Sequence, residues 1–486
     1  MTTFSSRSFK QFAAAALAVA VVRAAAGGID ARSYEVTAEP SAVMLNFARG
    51  ANSRGFAWQT DTSVSESEVR LVRGGGTPGD DAFDRSDLVF TGTCKRVGRP
   101  FLNRHKVFAT GLAPGRYSYR LGGAGRYARG SFSVRDGRGP VTVLNLNDAQ
   151  TKEADKLKVW ENTLAVAAKT VGGADGVDFI FSGGDLIDAW FRPCTNYVHG
   201  FIGRPLEWGL AVDATAPHFP GVPWVSSSGN HDFWLYGDFM AVDYPKGVVP
   251  GCESLDYGEL HVATIPYVEG KWSPRHQAVV DWLARDLAAN RRRGDARWTV
   301  VGIHWGPYTT GDHGSLNPGV TNLVLRLGPM FASNRVDLVL QGHDHTFSKT
   351  LPYRWDGPGY TTSLPDESVV LTEPKTVCAD GRTYDLNPCG TYFISAGCAG
   401  HRVGENCAYA VSDGPKSHTK LRKYKIAVGR LKVDSSWGKA GDAASVDLPA
   451  SMFAVLRFDG GRMSCDFYVV GRDGVELYDS LNVMKR

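Results

Sequence analysis

At 486 residues the chain is longer than a single hydrophobic core supports, so two folded units plus terminal segments are expected. With 43% hydrophobic and 21% charged residues it has the make-up of an ordinary globular protein. Its formal charge of +4 is spread over both signs, so no nucleic-acid or polyanion partner is inferred; the one concentrated basic run, Arg291-Arg292-Arg293, falls where a helix ends and cations complement the dipole.

The chain opens with Arg7 and Lys10, an apolar run over residues 12–22, and Ala24-Ala25-Ala26 before Gly27-Gly28. That is the order of a secretory signal peptide, residues 1–26, with a secreted or periplasmic location expected. The run is too short to span a bilayer, and no later stretch is long and apolar enough to do so. Residues 33–136 then read as short strands at 41–47, 55–60, 69–72 and 116–121. Turn-rich segments such as Gly74-Gly75-Gly76-Thr77-Pro78-Gly79 separate them, the spacing of an all-β sandwich.

Past a linker at 136–140 the texture becomes α/β and continues over 140–486, with surface insertions expected near 190–222 and 353–445. A strand at 141–146 precedes a helix with Leu157, Trp160, Leu164 and Ala167 on one face. Further strands are predicted at 177–181, 224–227, 298–303 and 336–340. Ser273-Pro274 opens a helix that carries Ala278, Val279, Trp282, Leu283 and Leu287 on one face and stops at Gly294. A short strand at 391–395 and a hairpin of 453–458 and 464–470 around Asp459-Gly460-Gly461 complete the pattern. Eight cysteines beside an export signal point to partial pairing. Cys378 with Cys389, Cys398 with Cys407, and Cys194 with Cys252 are candidate staples; the full set allows 105 pairings, and Cys94 or Cys465 can stay reduced.

Asp148, Asp185, Asn230, His304 and His343 each follow the apolar end of a predicted strand. Loops at the carboxyl ends of strands form the ligand crevice of open α/β folds, so residues distant in sequence can meet there. Singly, each has a plain role: a helix cap for either aspartate, a turn for Asn230, a hydrogen-bonded loop histidine for His304. Five such polar arrivals at strand ends point to one shared crevice.

The ordered set Asp148, Gly184-Asp185, Gly229-Asn230-His231-Asp232, His304 and Gly342-His343-Asp344-His345 resembles the calcineurin-like metallophosphoesterase superfamily. The resemblance implies a two-sheet β-sandwich flanked by helices, with βαβ units, and hydrolysis of a small phosphate ester at a site holding two divalent or trivalent ions (Fe, Mn, Zn or Ca). It gives the first ion Asp148, Asp185 and His345, and the second Asp185 as bridge with Asn230, His304 and His343. Gln150 stands where the family's D-x-H motif has a histidine, and its amide oxygen is a weaker donor than imidazole. By the same resemblance His231 stabilises the transition state or protonates the leaving group. Asp188 matches the aspartate that pairs with this histidine in the serine/threonine phosphatase branch.

Over a longer stretch, Ser254-Leu255-Asp256-Tyr257-Gly258-Glu259-Leu260-His261 and His304-Trp305-Gly306-Pro307-Tyr308 with Gly311-Asp312-His313-Gly314 resemble purple acid phosphatases. Asp188 replaces the tyrosine whose tyrosinate colours that site, which implies a colourless protein. Ala189-Trp190 replaces the Arg-Gly of the protein phosphatases. The segment from Gly111-Leu112-Ala113-Pro114-Gly115 through Arg120-Leu121-Gly122 resembles the fibronectin type III-like domains that precede purple acid phosphatases. Trp190, Phe191, Trp234, Tyr236, Trp305 and Tyr308 lie beside motif residues, where they can stack on a ring or pack the pocket wall, and Arg192 can meet a phosphate. The favoured activity is an acid phosphatase-like monoesterase, the alternative a phosphodiesterase or nucleotidase. A rival of another class is a catalytically silent binding protein whose first metal site has degraded at Gln150.

Overall fold

The computed structural model describes residues 34–98, 101–151, 154–188, 197–267, 273–306, 318–345, 347–355, 369–371, 373–400, 451–471 and 474–486. The expected signal peptide lies outside them. Eight strands come first: β1 (Ser41–Asn46), β2 (Arg54–Thr60), β3 (Glu68–Arg73), β4 (Leu88–Thr91), β5 (Thr93–Val97), β6 (Leu102–Ala109), β7 (Gly115–Gly123) and β8 (Arg126–Val134). In β3, Val69 and Leu71 are buried while Glu68 and Arg70 are not, the two-residue alternation of a strand with one face on a core. Strands β4-β3-β7-β8 form one antiparallel sheet, and β1-β2-β6-β5 pair antiparallel opposite it. Leu45, Phe56, Trp58, Val69, Leu71, Tyr117, Tyr119 and Phe132 fill the space between the two layers.

This sandwich does not end at the linker. Strand β1 also pairs in parallel with β11 (Trp224–Ser226), through Asn46 and Trp224, and so joins the sheet of the second region. That sheet contains β9 (Val141–Asn145) and β10 (Phe179–Ser182), which run parallel to β11 and are buried on both faces, as strands at the centre of a covered sheet are. Its other edge is built from β19 (Lys375–Ala379), β20 (Arg382–Leu386), β22 (Ser451–Asp459), β23 (Arg462–Gly471) and β24 (Gly474–Met484). Among the described residues the order is β19-β20-β24-β23-β22-β9-β10-β11-β1-β2-β6-β5.

A second sheet, ordered β12-β13-β14-β15-β21-β16, comprises β12 (Glu253–Tyr257), β13 (Leu260–Ile265), β14 (Trp298–Trp305), β15 (Leu338–Gly342), β21 (Tyr392–Ala396) and β16 (Phe347–Lys349). The two sheets meet over Phe179, Phe181, Val143, Val262, Val300, Leu340 and Leu456. Burying a side chain of this size is worth about 1.5–3 kcal/mol. Helices cover both outer faces. On the long sheet, α1 (Ala154–Val171) turns Trp160, Leu164 and Ala167 inward, and α2 (Tyr197–Thr215) packs Trp208 and Ala211 beside β1. The short helix α3 (Phe233–Phe239) follows β11. On the second sheet, α4 (Pro274–Arg293) buries Val279, Leu283 and Leu287 beside α5 (Pro318–Asn334). Helix α4 has the expected ends: the Ser273 side chain accepts from the His276 amide, Pro274 fills the first turn, and Gly294 closes it at φ 71°.

The Cys378–Cys389 staple expected from the sequence is not formed. Both residues are exposed and unbonded; Cys378 sits on β19 opposite Thr383, while Cys389 lies past the end of β20. Cys194 and Cys407, which the other two pairings need, lie outside the described residues. No helix among the described residues is long and apolar enough to cross a membrane.

Candidate metal centre

The loops that leave β9, β10, β11, β14 and β15 are tied to one another by backbone and side-chain hydrogen bonds. The amides of Asp148 and Gln150 donate to the carbonyls of Gly184 and Asp185, and the His343 amide donates to the Asp148 carboxylate at 2.9 Å. The turns are tight: Asp148, Gln150, Asp185, His343 and His345 all have φ between 44° and 75°. Left-handed backbone at a non-glycine residue costs about 1–3 kcal/mol each and persists only where surrounding contacts enforce it. Gly229 is required by closeness alone, since a Cβ there would stand 1.9 Å from Asp185 Oδ1.

Four donors converge at one point. One ligating atom each from Asp185, His304 and His343 lie within 4.8 Å of one another. Asn230 Oδ1 is 2.8 Å from His304 Nε2 and 2.9 Å from His343 Nδ1, and Asp185 Oδ2 is 3.4 Å from His304 Nε2. His304 Nδ1 faces the Gly183 carbonyl at 2.7 Å and donates to it, so Nε2 is the position that holds either a second proton or a cation. A carboxylate, an amide oxygen and two imidazoles facing one another are oxygen and nitrogen ligands of the kind that fit a divalent cation.

Asp148, Gln150 and His345 are grouped beside the same aspartate. Gln150 Nε2 donates to Asp185 Oδ2 at 3.2 Å, while Gln150 Oε1 is buried without a hydrogen-bond partner among the described residues. His345 Nε2 is 3.6 Å from Asp148 Oδ1, and neither of its ring nitrogens has a hydrogen-bond partner among the described residues although the residue is buried. Buried polar atoms left this way suit an ion.

His231 sits at the rim of this group. Its Nδ1 is 3.1 Å from Asp188 Oδ1, its Nε2 is 3.8 Å from Asp185 Oδ2, and its amide donates to Asp185 Oδ1 at 2.8 Å. Burial alone would raise the Asp185 carboxyl, but the His304 and His231 imidazoles and the His231 amide outweigh it and hold it well below the usual carboxylate range. Burial would likewise depress His304, yet Asp185 beside it draws it up to about 9. Asp232 is pushed up to about 7 by burial and by the charge of Asp185.

Two residues given no role from the sequence hold the centre together. Asn147 accepts from the Gly183 amide at 2.8 Å and donates to the Gln341 carbonyl at 2.9 Å, which ties the loops of β9, β10 and β15. Asp232 accepts from the amides of Gly229 at 2.5 Å and Leu186 at 3.0 Å. The available signal was a polar side chain next to a motif residue at a strand end. Of the aromatic candidates, Trp305 lies 5.4 Å from the His343 ring and stacks on Tyr267. Tyr236 instead packs in the core with its hydroxyl on the Ser226 carbonyl, because α3 turns it inward, so it is not available to a substrate. Arg192, Trp190, Phe191, Tyr308 and the side chain of Trp234 lie outside the described residues.

A two-sheet α/β sandwich with this donor set at its strand ends is the framework of a metallophosphoesterase. Residues 142–347 match the sequence model of the calcineurin-like phosphoesterase family, and purple acid phosphatases are among the proteins the chain is similar to. It is 28% identical over 218 residues to purple acid phosphatase 3 of Arabidopsis thaliana, a match that covers 38% of this chain and 53% of the relative, so it spans about half of that protein's length. An uncharacterised protein of Mycobacterium tuberculosis is 27% identical over 157 residues, covering 27% of this chain and 28% of its own length. Among solved structures, a purple acid phosphatase from yellow lupin (Lupinus luteus) seeds superimposes with a TM-score of 0.60 at 13% identity, covering 92% of this chain and 74% of the lupin chain, a likeness of fold.

Proposed function

We propose that the protein is an exported phosphoesterase acting on small phosphate esters, with a monoesterase of the acid-phosphatase type favoured. The observation that carries this reading is the convergence of Asp185, His304 and His343 with Asn230 Oδ1 among them. In this reading Asp148, Gln150 and His345 would hold one ion and Asn230, His304 and His343 a second, with Asp185 available to both. When bound, the ions supply Lewis acidity toward a phosphate oxygen and a water nucleophile that is active near neutral pH.

The remaining work falls to the chain's own side chains. Gly183 O holds the His304 tautomer, and Asp188 faces His231 Nδ1, so that His231 Nε2 is the atom directed toward the site. From there it can pass a proton to the departing alkoxide. Asp188, in place of a tyrosinate, leaves no source for a visible charge-transfer band. The leader at residues 1–26, a fibronectin type III-like sandwich over 33–136 and a catalytic region over 140–486 belong to the same reading.

The test is turnover of an aryl phosphate monoester and of the matching diester by the purified protein, loaded in turn with Mn, Fe, Zn or Ca. Wild type should favour the monoester, and a strong diester preference would replace this reading with the diesterase one. His231→Asn should keep the metal content and lose about 10²–10⁴-fold in kcat. No hydrolysis with any metal, at one ion or fewer per chain, would mean a binding protein instead.

A further inference from the structure

The sandwich contributes none of the residues assigned to the metal centre, yet it grips the helix that follows His231. Helix α3 begins directly after His231 and Asp232, with Asp232 at its N-cap, and is seven residues long, about 10 Å. Its front end is fixed by Asp232 on the amides of Gly229 and Leu186. Its back end is held from the sandwich. Lys106 on β6 donates to the Gly237 carbonyl, Lys95 on β5 pairs with Asp238 at 2.7 Å, and Arg104 on β6 donates to the Phe239 carbonyl at 3.2 Å.

The Arg104 guanidinium also lies 4.1 Å above the Phe239 ring, whose other contacts include a stack on Trp208. Just beyond the helix, the Ala241 amide donates to Asn46 on β1 at 2.8 Å. Three cations from two adjacent strands therefore meet three consecutive residues at the carbonyl end of a helix, where the peptide dipoles place partial negative charge. Arg104 is almost fully buried, and its Nε and Nη1 make no hydrogen bond among the described residues. A buried charge so poorly compensated is costly for stability alone, which favours a role in placing what it touches.

We propose that Lys95, Arg104 and Lys106 are positioning residues for His231: the β-sandwich sets the location of α3, and through it the reach of the His231 imidazole to a leaving group. This rests on the phosphoesterase reading and assigns the sandwich its part in it. A displacement of about 1 Å at such a group is enough to cost up to 10²-fold in rate.

The experiment compares Lys106→Met, Lys95→Met and the double variant with Lys106→Arg, which retains a donor. Arg104 is left alone because its burial makes loss of the fold the expected result of changing it. Lys106→Met should lower kcat about tenfold with KM, metal content and melting temperature near wild type, and Lys106→Arg should restore most of it. In a His231→Asn background, Lys106→Met should have no further effect on kcat, whereas a general structural defect would cost the same in both backgrounds. Independently of turnover, amide exchange over residues 233–241 should quicken in the double variant. An active wild type whose Lys95 and Lys106 variants keep full kcat, or lose it equally with and without His231, overturns the proposal. An inactive wild type with unchanged exchange in the double variant overturns it together with the phosphoesterase reading, while quickened exchange in an inactive protein removes only the link to catalysis.

Discussion

The sandwich of residues 41–134 and the strand-end loops of the second region solve opposite problems. In the sandwich, non-glycine residues with left-handed backbone are limited, among the described residues, to Ala42, at an irregularity of β1, and Ala124, in the turn between β7 and β8. At the strand ends, Asp148, Gln150, Asp185, His343 and His345 all adopt it, and buried polar atoms of Gln150 and His345 lack hydrogen bonds. The sandwich keeps its backbone relaxed, although it too holds buried polar atoms without hydrogen bonds among the described residues, on Arg54, Gln59 and Arg104. The other region accepts strain and desolvated donors in exchange for a geometry that a cation can complete.

The contrast can be broken most severely at Asp185. Asp185→Asn should abolish metal retention and lower turnover by about 10³-fold, with little change in melting temperature measured without metal; metal analysis alongside calorimetry checks both. The reverse pattern is expected of Leu71→Ala in the sandwich, a loss of about 3 kcal/mol in urea denaturation with kcat per folded molecule unchanged. Gly229→Ala, whose new methyl would collide with the Asp185 carboxylate, should cost about 10²-fold in kcat by displacing a ligand. Were it as active as wild type, the rigidity ascribed to the centre would be wrong.

The smallest effect separates two histidines. In the sandwich, His105 is brought down to about 4 by burial and by Arg104. Its contribution to stability is therefore complete above its ordinary pKa of 6.5 and is lost as pH falls toward 4. His261, between Asp256 and Asp286 on the second sheet, is raised to about 9 because those carboxylates outweigh its burial. Its contribution is complete below 6.5 and is lost as pH rises through 9. Each arm is on the order of 1–2 kcal/mol after allowance for screening. Thermal melts from pH 4 to 9 should show a maximum near pH 6.5, with His105→Gln flattening the acid arm and His261→Gln the alkaline one.

Apolar strands were legible in the sequence because their burial pattern is local: β1, β2, β9, β10, β11, β14 and the β22–β23 hairpin lie within a residue or two of the predicted spans. Strand β6 was hidden by Asn103, Arg104, His105 and Lys106, polar residues buried wholly or partly on both faces of the strand because their partners come from elsewhere in the chain. Helices α2 and α5 were masked by Pro205 and Pro329 inside them. The motif residues of the centre were read directly, and their types are those brought together. Asn147 and the cations behind α3 escaped because their work is to hold backbone carbonyls and amides, which leaves no motif.

The pairing of Asn46 with Trp224 carries a consequence for how the chain is made. The two residues are separated by 178 positions, so β1 and β2, synthesised early, wait for β11 before their sheet is complete. The first hundred residues thus present an unpaired strand edge during synthesis, a surface prone to mispairing until the later segment arrives. Cutting at the linker would expose that edge on both fragments, and the two pieces should aggregate apart more readily than the intact chain does.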